Sequence, residues 1–421
     1  MSSGKVQEPG DDAPCRSELA RDCDVSAKKM SSETPQSRAS SLLQLSSSVS
    51  TGKPALQVSA ASVTPGNALL INSHAIIPAP RPSMSSLNQA LSVALDNRQP
   101  LLAELHAQGT DCYRLFHGSQ EGASGLTVDR YGPQLLVQSF HNSLDLDSLL
   151  ALHTAVNARL GLELLLVYND RSQGNSRVDR TDPIYKADDA ALADLVGHEW
   201  GLNYRVRGRH AGQDPLLFLD LRNARGWVKQ HAAGKSVLNL FAYTCGVGLS
   251  AAAGGAREVC NLDFAEGNLA VGRENGLLNP QLPTMQFVQS DYFPAIRQLA
   301  GLPIASRRGH KLPSYVRLEQ RQYDLVLLDP PAWAKSAFGT VDLLRDYQSL
   351  LKPALLTTAE DGVLICCNNL AKVSLDDWRE QVLRCASKIG RPVRDCQVLT
   401  PGADFPSQDQ QPPLKTLILQ L

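Results

Sequence analysis

Val393-Arg394-Asp395-Cys396-Gln397-Val398-Leu399 and Leu414-Lys415-Thr416-Leu417-Ile418-Leu419-Gln420-Leu421 close the chain. Both runs read as strands. No helical pattern separates them, so they should pair antiparallel. From Gly234 up to this pair, strand-like and helix-like segments alternate, with strand candidates at 236–241, 257–262, 285–289, 323–328 and 362–367. Such alternation implies a parallel sheet with helical crossovers. A parallel sheet that finishes in an antiparallel hairpin is not expected of an NAD-binding dinucleotide domain. The expectation is therefore an α/β, Rossmann-like sheet of seven strands.

Tyr323–Leu328 reads as a buried strand, and Asp329-Pro330-Pro331-Ala332-Trp333 follows it at once. Neither proline can donate to a ladder, so the strand must stop in a stiff loop. The loop presents an acceptor, Asp329, carbonyls such as that of Pro330, and an aromatic plate, Trp333. A flat polar ring such as a nucleobase suits that set: the plate stacks on its face and the acceptors meet its edge.

Ser236–Phe241 is followed by Ala242-Tyr243-Thr244-Cys245-Gly246-Val247-Gly248, a glycine-containing turn ahead of a helix. The three-glycine phosphate fingerprint is absent. Asp263 closes the next strand candidate, where a carboxylate can accept from ribose hydroxyls. Together these features imply a nucleoside crevice without a strong demand for pyrophosphate, which suits S-adenosylmethionine better than NAD.

These segments carry a resemblance. From about Phe218 to the C-terminus the chain is similar to class I S-adenosylmethionine-dependent methyltransferases, in particular the RlmI/RlmK-like branch acting on 23S ribosomal RNA. Its marks are Phe218-Leu219-Asp220-Leu221-Arg222, Asn239–Thr244, Asp263, Arg273-Glu274-Asn275, Ser290-Asp291-Tyr292-Phe293 and Asp329–Trp333. Gly125-Leu126-Thr127-Val128-Asp129-Arg130-Tyr131-Gly132 is similar to the opening of the small α+β domain that precedes the catalytic domain there. The likeness spans roughly three quarters of the chain. It implies a seven-stranded methyltransferase sheet over 211–421, a small α+β domain over 86–210 and a low-complexity, disordered tail over 1–85. Many members of that branch carry an RNA-binding PUA domain at the N-terminus, and no counterpart is legible in this tail.

The 421 residues leave room for two domains and a tail. Nine cysteines, several of them in apolar runs (Cys260, Cys366, Cys367), suit an intracellular, cytoplasmic protein with reduced thiols. Cys/His metal spacings are missing, so no metal is expected, and no run approaches the length of a membrane span. A transit peptide competes for the tail, but its scattered Asp and Glu oppose that. Net charge is −1, so any RNA grip must rest on local patches. Candidates are Arg205-Val206-Arg207-Gly208-Arg209-His210 and Arg307-Arg308-Gly309-His310-Lys311, with Arg317 and Arg321 beyond; each could equally be a solvated loop.

Roles follow for each residue. Phe241 and Tyr243 would line the crevice, and the backbone from Thr244 to Gly246 would pass the methionine moiety. Asp263 would hold the ribose, Asp291 would accept from the adenine amino group, and Tyr292 would pack on that ring. By resemblance, Asp220 and Arg222 close over the cofactor's carboxylate, with Arg222 pairing to it. Methylating carbon 5 of a pyrimidine needs a cysteine to add to carbon 6 first. Cys367 is the candidate, unless strand alternation turns it into the core. In the related cytosine-C5 enzymes that cysteine sits in a Ser-Cys-Ser segment, whereas this chain has Cys366-Cys367-Asn368-Asn369. Without a thiolate, a base nitrogen is the target, Asp329 and the Pro330 carbonyl orient its N–H, and Asn368 and Asn369 read the base edge. Ribosomal RNA is the expected partner. Two other classes stay open: a methyltransferase of small molecules or proteins, and a non-catalytic RNA-binding assembly factor. The residues leave the oligomeric state open.

Overall fold

The computed structural model describes residues 84–172, 195–208, 215–304, 313–409 and 411–421. Most of the expected tail (1–83) and the cluster Arg307–Lys311 lie outside the described residues, as do Arg209 and His210.

The seven strands form in the expected region. They are β7 (Ser236–Leu240), β8 (Glu258–Asp263), β9 (Gln286–Gln289), β10 (Tyr323–Leu328), β13 (Thr358–Asn368), β14 (Asp395–Leu399) and β15 (Lys415–Gln420). Their order across the sheet is β14-β15-β13-β10-β7-β8-β9. β13, β10, β7, β8 and β9 run parallel, whereas β15 is antiparallel to both β13 and β14. The terminal hairpin thus pairs as its sequence implied.

Successive strand residues face opposite sides, so both faces carry a core. One face sets Val237, Leu325, Leu327, Ile365, Cys367 and Ile418 against Val228 of helix α3 (Arg222–His231) and Leu249 of α4 (Gly246–Ala253). The other sets Leu238, Val326, Leu328, Cys366 and Leu417 against Ile296 of α6 (Tyr292–Leu299), Leu351 of α7 (Tyr347–Thr357) and Trp378 of α8 (Leu375–Lys388). Each fully buried Leu or Val contributes about 1.5–3 kcal/mol. Helix α5 (Glu266–Leu277) joins β8 to β9.

Ahead of this sheet, β1 (Cys112–His117), β2 (Leu126–Tyr131), β3 (Gln134–Ser139) and β4 (Leu165–Asp170) form a second one, packed on α1 (Met84–Ala107) and α2 (Leu146–Leu160). The stretch Tyr113–Phe140 carries all of β2 and β3 and most of β1, because Gly132-Pro133 makes a tight turn between β2 and β3. Helix α1 runs through Pro100 without a break. Its apolar residues Leu87, Leu91, Leu95, Leu102 and Leu105 are buried on both sides of the proline. That packing outweighs the roughly 3 kcal/mol a mid-helix proline costs.

A hairpin of β5 (Leu195–Glu199) and β6 (Leu202–Val206) turns on Trp200 and Gly201, both with positive φ as a type I′ turn requires. The two sheets meet around the loop between β14 and β15. Asp404, fully buried, accepts from the Arg114 backbone N–H at 3.0 Å and from the Arg222 guanidinium, and its carbonyl accepts from Arg98.

Candidate functional site

The turn after β7 is held in a costly shape. Phe241, Tyr243 and Cys245 all have φ between 49° and 63°, a left-handed region that costs a non-glycine residue about 1–2 kcal/mol. Hydrogen bonds impose it. Asp263 accepts from the Tyr243 N–H at 2.8 Å, and Asn275 donates to the Thr244 carbonyl at 3.0 Å. Thr244 Oγ1 donates to the Leu216 carbonyl, and the Ala242 N–H donates to the Leu262 carbonyl.

The result is a fixed crevice at the carboxyl edge of the sheet. Phe218, Phe241, Tyr243, Thr244, Gly246, Asn239 and Asp329 are among the residues lining it. Sequence reading placed four of these there, Phe241, Tyr243, Thr244 and Gly246. Its closed space is only about 30 Å³. The rings of Phe218 and Tyr243 lie 4.9 Å apart along its wall. Gly246 lines the crevice, whereas Gly248 serves packing: a Cβ there would come within 2.0 Å of Asn261 Oδ1 on β8.

Asp263 ends β8 with its carboxylate nearly buried. Burial raises its pKa, and N–H donors from Ala265 and Tyr243 pull the other way. Asp291 caps α6 by accepting from the Phe293 N–H at 2.8 Å and stays half-buried. Tyr292, assigned to a ligand ring, is instead buried behind Phe241. Its ring stacks on Phe241 at 4.7 Å and its hydroxyl donates to the Leu350 carbonyl.

Arg222 also departs from its assigned role. Its fork is buried against Asp404 rather than presented to a ligand carboxylate. The charge of Asp220, in the 3-10 turn Leu219–Leu221, acts on Arg114 and Arg225. Arg225, absent from the sequence reading, is the arginine that lines the crevice. It pairs bidentately with Glu199 at 2.6 and 2.7 Å and donates to the Phe218 carbonyl, anchoring that wall. Arg225 falls one helical turn after Arg222, but its partner lies 26 residues away, so no local signal marked it.

On the other side, Asp329 is buried at the end of β10, and the Pro330 carbonyl accepts from Asn369 Nδ2 at 3.4 Å. Trp333 is half-exposed and opens a small hairpin, β11 (Trp333–Lys335) with β12 (Thr340–Asp342), rather than sitting in a bare loop. Cys367 is corrected from nucleophile to core. It is 1% exposed and lies in the apolar cluster with Ile365 and Ile418, its thiol 3.6 Å from Thr416 Oγ1. Asn368 and Asn369, assigned to the base edge, are buried and bonded within the protein. Asn368 Oδ1 accepts from the Leu370 N–H, and Asn369 braces the Pro330 loop from below. Among the described residues no group of three or more His, Cys, Asp or Glu could hold a metal ion, and no helix is long and apolar enough to cross a membrane.

The family model for S-adenosylmethionine-dependent methyltransferases matches residues 154–420. The chain is 32% identical over 311 residues to a ribosomal RNA large subunit methyltransferase of Deinococcus radiodurans, covering 72% of this chain and 70% of that one. It is 28% identical to ribosomal RNA large subunit methyltransferase I of Aeromonas salmonicida, covering 75% and 74%. In fold it is similar to a proposed S-adenosylmethionine-dependent methyltransferase from Streptococcus mutans, with a TM-score of 0.62 at 23% identity, covering 81% and 82%.

Proposed function

The chain belongs to the S-adenosylmethionine-dependent methyltransferase family, and from that premise we propose that it methylates a nitrogen of a base in large-subunit ribosomal RNA, in the cytoplasm. The RNA target is supported by the names of the Deinococcus and Aeromonas relatives. The nitrogen is supported by one observation: among the described residues, the two thiols near the expected nucleophile position, Cys366 and Cys367, are both packed into the core. A carbon-5 mechanism has no thiolate there to begin with.

The lining of the crevice suits an adenosyl group. It offers aromatic walls in Phe241 and Tyr243, the Asp263 carboxylate behind the turn, and backbone at Thr244–Gly246 where a chain of small cross-section can pass. S-adenosylmethionine, when bound, supplies a methyl carbon made electrophilic by the attached sulfonium. The rest of the catalysis is positioning. Trp333 stacks the base, and Asp329 with the Pro330 carbonyl accepts from its N–H. Held so, the base would keep its nitrogen lone pair turned toward that methyl carbon, and the methylated nitrogen would give up its proton. The buried Asp329 gives that proton a nearby acceptor.

Tritium transfer from labelled donor onto undermodified large-subunit RNA, followed by nucleoside mass analysis, tests the reading. A nitrogen-methylated base is expected, with transfer retained in Cys367→Ala. A 5-methylpyrimidine product lost in that variant refutes the nitrogen assignment.

A further inference from the structure

A second depression opens on the same edge of the sheet. Helix α6 starts where β9 ends, and α7 leads into β13, so both helices begin at the carboxyl edge. Between the hairpin tip of β11–β12 and the flanks of these helices lies a groove of about 350 Å³, which runs from Phe293 along α6 to Leu302 and Ile304 beyond its end and beside α7 as far as Pro353. Phe338, Phe293, Arg297, Lys352, Ser349 and Asp346 are among its lining residues.

The composition of the groove is not that of a packing defect. Phe293 is half-exposed at the start of α6, and Phe338 is half-exposed at the hairpin tip, with Tyr315 edge-on to it at 6.2 Å. Arg317 lies over that Tyr315 ring at 4.7 Å. Arg297 spends its Nε on the Pro303 carbonyl. Its terminal amino groups, and the Lys352 ammonium, make no hydrogen bond to another described residue. The one carboxylate in the lining, Asp346, accepts from the Ser349 N–H as the cap of α7. Exposed aromatic faces interleaved with uncommitted cations are what a single strand of nucleic acid requires: bases stack and phosphates pair.

The hairpin connects this groove to Trp333. Ser336 closes the tip, its Oγ accepting from the Phe338 and Gly339 N–H groups. Gly339 packs so tightly on Phe293 that a Cβ would come within 2.7 Å of the ring, which fixes the tip against α6. From Trp333 to Ser336 the extended chain covers about 10 Å. We infer that the groove receives the nucleotide flanking the target base, its base on Phe338 and its phosphate between Arg297 and Lys352. This rests on the RNA reading above and deepens it.

The test uses the full chain with undermodified large-subunit RNA. Phe338→Ala should raise the RNA KM about tenfold, and Phe338→Tyr, which keeps a stacking face, should restore it. Arg297→Gln with Lys352→Gln, which removes the grip on one phosphate of a single strand, should flatten the dependence of log affinity on log salt by about 0.7. Cofactor affinity and melting temperature should stay at wild-type values in all of them. Wild-type RNA methylation with unchanged KM and salt slope in the variants overturns the groove and leaves the RNA reading standing. A wild-type enzyme that ignores RNA but methylates a polypeptide removes the RNA reading and the groove's assignment with it.

Discussion

Cys366 and Cys367 are neighbours on β13, yet their thiols enter opposite cores, because strand side chains alternate. That alternation was legible in the sequence; that both faces are covered at this point, so that neither thiol reaches the crevice, was not. Lys415 shows the same limit. It sits in the register opposite Asn368, nearly fully buried, and donates to the carbonyls of Leu370 at 2.9 Å and Pro413 at 3.4 Å. Burial lowers its pKa from 10.5 to about 8. Between pH 8 and 10 the unfolded chain therefore keeps a proton that the folded chain releases. The linkage makes folding more favourable as pH rises through that window. Urea midpoints at pH 8 and pH 10 check this: the wild-type midpoint should rise relative to Lys415→Met. An equal response in both proteins would mean that Lys415 stays charged when folded.

At the scale of elements, the β7–α4 turn and the strand β8 behind it act as one unit. Asp263 gives its two oxygens to the N–H groups of Tyr243 and Ala265. An asparagine has only one acceptor oxygen and would set an amide donor against one of those N–H groups. Asp263→Asn is expected to weaken binding of S-adenosylmethionine at least tenfold, about the 1.5–3 kcal/mol of a bond to a charged group. Titration calorimetry would measure it, and unchanged affinity would remove Asp263 from the cofactor site. Gly248 tests the other contact. Gly248→Ala should lower stability by about 1–3 kcal/mol by driving a methyl into Asn261. A melting curve matching wild type would show that α4 can shift away. The sequence placed Gly246 and Gly248 in one glycine-containing turn. Only the helix–strand contact separates their duties, because that contact joins residues from different elements.

Across the whole molecule, Asp404 joins the two sheets through Arg114 and Arg222, with Arg98 on its carbonyl. Removing one partner leaves a buried charge alone. Asp404→Leu is therefore expected to cost about 3–5 kcal/mol, and Arg222→Met in the same chain should recover much of it. Urea denaturation of both variants decides the matter; a double variant as weak as the single one would argue that Asp404 matters through its backbone contacts. Arg222 was assigned to the cofactor by resemblance, and its actual partner, 182 residues away, left no local mark in the sequence.

What the sequence determined was periodic or local: the alternation of strands and helices, the antiparallel closing pair, the Asp-Pro-Pro stop after β10 and the acidic end of β8. Each depends on neighbours within a few residues, where backbone chemistry is decided. What the tertiary structure decided was pairing across distance. It committed Arg222 to Asp404, backed Phe241 with Tyr292, anchored the crevice wall through Arg225 and Glu199, and turned Cys367 inward. Buried charges and rings must find partners wherever the fold brings them, and nothing in local spacing encodes which partner that is.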